Sequence, residues 1–454
     1  MDAPVAVVGG GISGLVAARA LQAGGHDVVL YEATERVGGK IKTSSFGGFA
    51  VDEGPDAFLA RVPEATALCR ELGLGDELVN PATGKAYVYS RGALRPLPAG
   101  LILGVPARIG AVLGSRILSP YGVARAAIEP VIPRRADDDC LGAAIRHRFG
   151  DQVLERLFDP LIGGIYAGDS DCLSLDAAAP QIAALASSRS WLLAARRQLR
   201  ERPPDAASPV FYTVRSGLTA IVDALTRELS AVDVRRGAPV TELARTGTEG
   251  WTVNGDAVAA VVLATPASAT ADLLATIAPE AAQLLAAIDE VTVAIVTLSF
   301  ADRDLALALD GSGYLVPKPE QRAVTACSWA STKWSHWRVP GQIILRVSVG
   351  RMNDERAARL DDDALLAAVL ADLDRHMGIG AAPTAVRVSR WPRGFPQYRP
   401  HHLARVASIE RELATAAPGV ILTGAAYRGV GIPACIRQAT AAAHVVDELL
   451  VRRA

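Results

Sequence analysis

The chain has 454 residues, half of them apolar, with 47 basic and 48 acidic residues and a formal net charge of −1. That length suffices for about three domains around large apolar cores, and the balanced charge excludes a nucleic-acid surface or a polyanionic partner. The five scattered cysteines (Cys69, Cys140, Cys172, Cys327, Cys435) form no C-x-x-C pair, and no H-E-x-x-H spacing occurs among the histidines; this points to reduced thiols in a cytosol and away from disulfides or a metal site.

In chain order, PVAVV reads as a buried strand and GGGISG as a turn. ISGLVAARALQAGG follows as an amphipathic helix ending at Gly24 and Gly25, then DVVLYE as a second strand, a βαβ opening. The first apolar run stops at Gly9, too short for the apolar segment of a secretory signal. Residues 63–200 are helix-rich, with helical spacing at 64–72, 141–149 and 152–161. The most membrane-like region, 97–133, is interrupted by Arg108, Arg116 and Arg125, so it reads as surface-lying rather than spanning. RERPPDAASP (200–209) is the clearest linker.

Beyond it, VFYTV is an expected strand, SGLTAIVDALTRELS a helix, and VDVRRG, WTVNG and AVAAVVLATP contain short strands. The β-branched runs of 291–350 read as an antiparallel sheet. The last unit is a strand VILTG, a Gly-rich loop and a helix over 436–452. A nucleotide-type βα pattern therefore stands at the start, after the linker and at the end. That implies one binding domain assembled from discontinuous pieces, with other domains inserted between them.

Gly9-x-Gly11-x-x-Gly14 follows a strand and opens a helix. Gly9 permits the tight turn, Gly11 lets a pyrophosphate approach the backbone, and Gly14 lets helix and strand pack closely, while the helix N-terminus offers unpaired N–H groups. Glu32, 18 residues past Gly14, ends the second strand, where a carboxylate accepts hydrogen bonds from a ribose diol. ERVGGKIKT (35–43) adds a second glycine pair, Gly38–Gly39, between Arg36 and Lys40. A nicotinamide enzyme has no particular need of that pair, so the pattern favours FAD, although as bare chemistry it is also compatible with a simple tight hairpin.

The motifs GGGISGL, EATERVGGK, GFAVDEGPDAFLAR, DPLIGGIYAGDSDCLSL, VLATP, PQY and TGAAYRGVGIPACIRQA stand in the order found in the protoporphyrinogen/coproporphyrinogen oxidase family, which the chain resembles from about residue 4 to 448. That family lies within the wider FAD amine-oxidase-like group. The resemblance implies an α/β fold (α+β overall) with a discontinuous Rossmann-like FAD-binding domain, a mixed-sheet substrate-binding domain and a helical, membrane-proximal domain. The expected boundaries are 1–75, 207–275 and 401–454 for FAD binding, 76–95 and 276–400 for substrate binding, and 96–200 for the helical domain. By resemblance, non-covalent FAD is held by Gly9, Gly11, Ile12, Ser13, Gly14, Glu32, Arg36, Gly38, Gly39 and Lys40, with Val240, Gly424, Val430, Gly431 and Ile432 from the later pieces. Gly54, Pro55 and Asp56 would line the isoalloxazine side. Two departures stand out: His401 replaces a glycine that usually precedes the histidine matched by His402, and Ala439 replaces a common helix glycine.

The implied reaction is a six-electron oxidation of a porphyrinogen, with O2 as acceptor and H2O2 as product. Such a substrate needs a broad apolar slot and cations for its propionates. Lys85, Arg61 and Arg428 are the candidate anchors, and Tyr166 of GIYAGD is a candidate cavity residue; a solvated lysine and a core tyrosine are the plain alternatives. Trp329, Trp334 and Trp337 could form an aromatic slot, but their spacing fits packing better. The sequence names no catalytic base. Coproporphyrinogen III, with four propionates, suits this Arg-rich chain better than protoporphyrinogen IX, with two; an amine oxidase or desaturase is a more distant reading and an inert FAD scaffold a last one. The family also implies a cytoplasmic protein, peripheral at the inner face of a membrane, with other haem-pathway enzymes as partners and an open oligomeric state.

Overall fold

The computed structural model describes residues 3–135, 139–201, 209–247, 250–305 and 307–453. The expected linker falls mainly on 202–208, outside the described residues. The chain opens with β1 (Val5–Val8), α1 (Ile12–Ala23) and β2 (Val28–Tyr31), then the hairpin β3 (Thr43–Phe46) and β4 (Phe49–Asp52). Next come β5 (Phe58–Leu59), α2 (Pro63–Glu71), β6 (Leu78–Val79), β7 (Tyr87–Ser90) and β8 (Ala93–Pro96). A helical stretch holds α3 (Leu141–Phe149), α4 (Asp159–Tyr166) and α5 (Trp191–Glu201). After β9 (Phe211–Val214), α6 (Thr219–Glu228) and β10 (Asp233–Arg235), a meander of β11 (Leu243–Thr246), β12 (Gly250–Val253) and β13 (Asp256–Val258) leads to β14 (Ala260–Leu263) and α7 (Ala267–Leu274). The remainder is β15 (Glu290–Ala301), β16 (Gly313–Leu315), β17 (Val324–Trp329), β18 (Gln342–Val349), α8 (Asp362–Met377), β19 (Ala385–Pro396), α9 (His402–Ala416), β20 (Val420–Leu422) and α10 (Ile432–Arg453).

Five strands from distant parts of the chain make one parallel sheet in the order β10-β2-β1-β14-β20. Both its faces are covered, which is why β1 and β2 are apolar and buried at every position. Because side chains alternate across a strand, Val5 and Val7 enter the core shared with α1, α2, α6 and α10, while Ala6 and Val8 enter the core under the meander, α7 and α9. The discontinuous domain expected from the sequence is this sheet. The strand after the linker is an exception: β9 does not join it but pairs antiparallel with β5 and β6, and the parallel strand of that unit is β10, after α6. The final helix also begins four residues earlier than its apolar pattern indicates, at Ile432.

The second sheet runs β19-β15-β18-β17-β16-β7-β8. Its 291–350 portion is antiparallel as expected; the sheet is mixed because β16 pairs parallel with β7, from far earlier in the chain. Trp329 lies in its core beside Tyr314, and Trp334 and Trp337 are buried beside Phe46, so all three tryptophans pack the interior. The helical stretch has its own core around Phe149, Phe158 and Trp191, and a π-helical turn at Leu154–Phe158 interrupts the expected 152–161 helix. No helix among the described residues is long and apolar enough to cross a membrane.

His401 explains one departure from the family pattern. It sits at φ 66° and ψ 22°, the left-handed conformation a glycine adopts without steric cost. Its two hydrogen bonds, N–H to Asp139 and carbonyl from Arg405, are made by the backbone. His401→Gly is therefore expected to raise the unfolding free energy by about 0.5 kcal/mol, relief of side-chain strain exceeding the added chain entropy; a lower urea midpoint for the variant would contradict it.

Candidate cofactor and substrate site

The two glycine turns form one object. Gly14 packs so tightly that a β-carbon there would stand 1.8 Å from the Gly9 carbonyl oxygen, and one on Gly9 would stand 2.9 Å from the carbonyl oxygen of Ala264, at the end of β14. Gly38 donates its N–H to the Gly10 carbonyl at 2.7 Å, and a β-carbon on Gly39 would lie 3.2 Å from the Gly11 Cα. Gly11 itself faces open space, with nothing within 4 Å of the place a side chain would start. The second turn is thus more than a hairpin: it is laid against the first, leaving one free backbone face at the N-terminus of α1.

Glu32 accepts a hydrogen bond from the Gly10 N–H at 2.7 Å and two more from Thr34. Residues 237–240 run beside it, with Gly237 and Ala238 donating to the Thr34 and Glu32 carbonyls at 2.9 Å, which brings Val240 to this end. Arg36 does not reach toward a ligand. Its guanidinium binds the carbonyls of Val37, Gly39 and Ile41 and so fixes the second turn from within. Lys40 is different: its side chain remains accessible, yet the protein around it lowers its pKa by desolvation.

The C-terminal pieces close on the same place. A β-carbon on Gly424 (φ 127°) would stand 3.9 Å from the Ser13 hydroxyl, and Ser13 lies beside Cys435 in the first turn of α10. Two helix N-termini, of α1 and α10, therefore open toward one region next to Lys40. Gly431 is exposed there. The side chains of Val430 and Ile432 are turned away, into the helical core and the core of α1 respectively, so only their backbones can serve a ligand.

The 54–56 turn is held from the second sheet. Arg346 of β18 donates to the Gly54 carbonyl at 2.6 Å and pairs with Asp56 at 2.9 Å; Lys333 reaches the same carboxylate at 3.1 Å, and Trp334 Nε1 at 3.3 Å. Burial works to raise the Asp56 pKa, but the two cations outweigh it and hold the carboxyl well below its usual range. Gly54 is also a close-contact glycine, with a β-carbon 2.3 Å from the Lys40 carbonyl and 3.4 Å from the Trp391 ring. Arg346, Lys333 and Trp391 were not singled out by sequence reasoning, and Trp334 was considered only for an aromatic slot; Lys333, one of five lysines among 42 arginines, carried the faintest signal.

The candidate anchors scatter. Lys85 pairs with Asp310 at an exposed edge and lies 5.1 Å over the Tyr87 ring, the solvated alternative. Arg428 is drawn outward by a two-pronged pair with Glu410 of α9, so it clips its loop to that helix instead of facing a ligand. Arg61 sits in the exposed turn between β5 and α2. Tyr166 is 7% exposed in the helical core, 5.7 Å from the Tyr398 ring, and burial pushes its pKa up to about 12.

A family model for flavin containing amine oxidoreductases matches residues 12–447. The chain belongs to that family. Within this flavin-containing amine oxidoreductase family, it is 35% identical to the coproporphyrinogen III oxidase of Bacillus subtilis, over 96% of each chain, and 30% identical to that of Staphylococcus aureus, over 99% of this chain and all of the other. Its fold matches a candidate protoporphyrinogen oxidase from Exiguobacterium sp. 255-15 with a TM-score of 0.88, at 29% identity and 99% coverage of both chains. The cofactor of this flavin-containing family member is FAD, and the residues fit it: an open Gly11 face for a pyrophosphate, Glu32 for a ribose, and the Lys40 cation near them.

Next to the 54–56 turn, burial raises the Asp52 pKa to about 6 against the opposing pull of Thr43 and Arg346. One carboxylate oxygen accepts from Thr43 and the Leu218 N–H, and the other has no partner. A folded-state pKa above the unfolded value near 4 means the folded protein binds the extra proton, so this group's contribution to stability is lost as pH rises from about 4 to about 6. Asp52→Asn should flatten that slope and gain roughly 2 kcal/mol over the parent above pH 7. Urea unfolding at pH 4.5 and 7.5 tests it; parallel curves for the two proteins would count against the assignment.

Proposed function

We propose that the chain is an FAD-dependent oxidase that converts coproporphyrinogen III to coproporphyrin III, with O2 as acceptor. The observation that carries this reading is full-length similarity to coproporphyrinogen III oxidases at 30–35% identity, combined with the glycine clamp that fits FAD. Six electrons and six protons leave the macrocycle, and three O2 become three H2O2. When bound, FAD supplies the hydride acceptor for the bridging methylenes.

The chain's own residues do the rest. The clamp of Gly9–Gly14 and Gly38–Gly39 orients the dinucleotide, and Arg346 and Lys333 fix the 54–56 turn beside it. Val291, Val293, Trp391, Phe395, Met352 and Ala167 form an apolar cluster next to that turn, a surface suited to a macrocycle. Lys85 stays a candidate anchor because an exposed ion pair contributes only about 0–1 kcal/mol, so a propionate can displace Asp310. Arg61 is its partner candidate. Among the exposed apolar side chains of the helical stretch, Leu113, Tyr121, Ile128 and Val131 lie on the 113–131 segment with the exposed Arg116, which suits peripheral contact with an anionic membrane.

Aerobic turnover of coproporphyrinogen III and protoporphyrinogen IX, followed by porphyrin fluorescence, tests the substrate. Faster turnover of the four-propionate substrate is expected; equal or faster turnover of protoporphyrinogen IX would transfer the assignment to the second substrate, toward which the Exiguobacterium likeness leans. Lys85→Ala should raise KM several-fold with kcat little changed, and an unchanged KM would remove Lys85 from the site. For the membrane, co-sedimentation with phosphatidylglycerol vesicles should fall in a Tyr121→Asp/Val131→Asp variant; equal sedimentation of parent and variant would refute that contact.

A further inference from the structure

The loop that joins β20 to α10, residues 423–431, carries the C-terminal share of the flavin site, and little of it is held by regular structure. Gly424 and Gly429 stand at φ 127° and 131°, so at these two points the backbone is held by no side chain of its own and is free to take other shapes. One phenol oxygen gathers it. Tyr398 donates its hydroxyl proton to the Ala425 carbonyl at 2.6 Å and accepts from the Gly429 N–H at 2.8 Å, bridging two points four residues apart. Beside it, His402 Nε2 bonds the Tyr427 carbonyl at 2.9 Å, and its ring stacks on Tyr398 at 4.1 Å and 16°.

Both side chains are fully buried, and burial sets their protonation. It pushes the Tyr398 pKa well up, so the phenol keeps the proton it donates. It lowers that of His402 to about 4, so the ring is neutral, and a carbonyl partner places its proton on Nε2. The pair is anchored on the other side as well. Ser174 donates to the Tyr398 carbonyl at 2.7 Å, and Gln397 donates to the Tyr166 carbonyl at 2.8 Å, at the end of α4. The PQY motif is thus a strut between the GIYAGD segment and the flavin loop.

We infer that Tyr398 is a positioning residue for FAD: its hydroxyl, backed by the stacked His402, holds the 423–431 loop in its cofactor-binding shape before the cofactor arrives. This rests on the flavin reading and is independent of which porphyrinogen is oxidised. It concerns one oxygen atom, which Tyr398→Phe removes while keeping the ring between His402 and Tyr166. The Ala425 carbonyl and the Gly429 N–H then lose their buried partner, and the loop must be ordered by the ligand instead.

The test compares parent and Tyr398→Phe, both purified with FAD, for the dissociation constant and release rate of FAD by recovery of flavin fluorescence. A roughly 10-fold or greater weakening is expected in the variant, with a shift in visible flavin circular dichroism; a role confined to packing would change the urea midpoint and neither of these. Equal FAD affinity in the two proteins would overturn the inference, whereas a parent that binds no FAD would overturn the flavin reading itself. Should the variant not fold, hydrogen exchange on the parent decides: protection of the Gly429 amide with FAD removed is expected, and protection that arises only with FAD bound would show that the loop is not preformed.

Discussion

The contact on which the structure depends is the one between Gly14 and Gly9, where no β-carbon can stand. It sets the angle at which α1 leaves β1, and thereby where α1 points its unpaired N–H groups. Gly9 in turn touches Ala264, so the same turn also fixes how β14 lies against β1. The second glycine turn has no sheet of its own. It keeps its shape because Arg36 binds three of its carbonyls and because Gly38 bonds Gly10. The surface we propose for the dinucleotide thus arises from main chain packed on main chain, with side chains used mainly to brace it.

The units meet through buried charges as well as through small shared apolar clusters, such as that of Phe46 and Val51 with Trp334 and Trp337. Arg351, 5% exposed, holds Asp159 at the start of α4 at 2.8 Å and the Gly168 carbonyl at 2.7 Å, which ties the GIYAGD segment to the second sheet. Arg346 does the same between that sheet and the 54–56 turn. Such pairs add little net stability over apolar packing, but removing one partner strands the other at a cost of about 3–5 kcal/mol. Their directional bonds specify one relative placement of the units, which a flat apolar interface does not do. For a reaction that must bring a bridge carbon to a cofactor, placement is the quantity that matters.

How far this was legible in the sequence follows from which forces are local. The βαβ opening and the Glu32 position were legible because turn glycines, strand burial and helix periodicity are all encoded within about thirty residues. The discontinuous sheet was legible in outline, from repeated βα patterns, yet β9 was misplaced, since nothing in VFYTV says which strand will pair with it. Arg36 and Arg428 look alike in sequence, as cations inside glycine-rich motifs. Only the fold reveals that neighbouring carbonyls take up the first and Glu410 the second. Arg346 and Lys333 could not be placed from sequence because their partner, Asp56, is some 280 residues away in the chain. His401 was noted as a departure, and its left-handed backbone supplies the reason a glycine suits that position.

The site also places a demand on folding. His26, after α1, pairs with Asp447 on α10 across 421 residues of sequence, and β20 reaches β1 only through β14. The cofactor region is therefore incomplete until the last piece of chain docks on the first. Contacts of such long range carry their loop-closure entropy before they bring any stabilisation, which makes assembly slow. A cofactor that binds the assembled state in preference to the open chain adds stability by mass action at that closing step. A strut that shapes the C-terminal loop ahead of the cofactor shortens that step, because the ligand then meets a formed surface and not a loose one. On this view, the buried Tyr398 hydroxyl and the glycine contact at the other end of the chain serve the same purpose: each fixes main chain in place before there is a ligand to fix it.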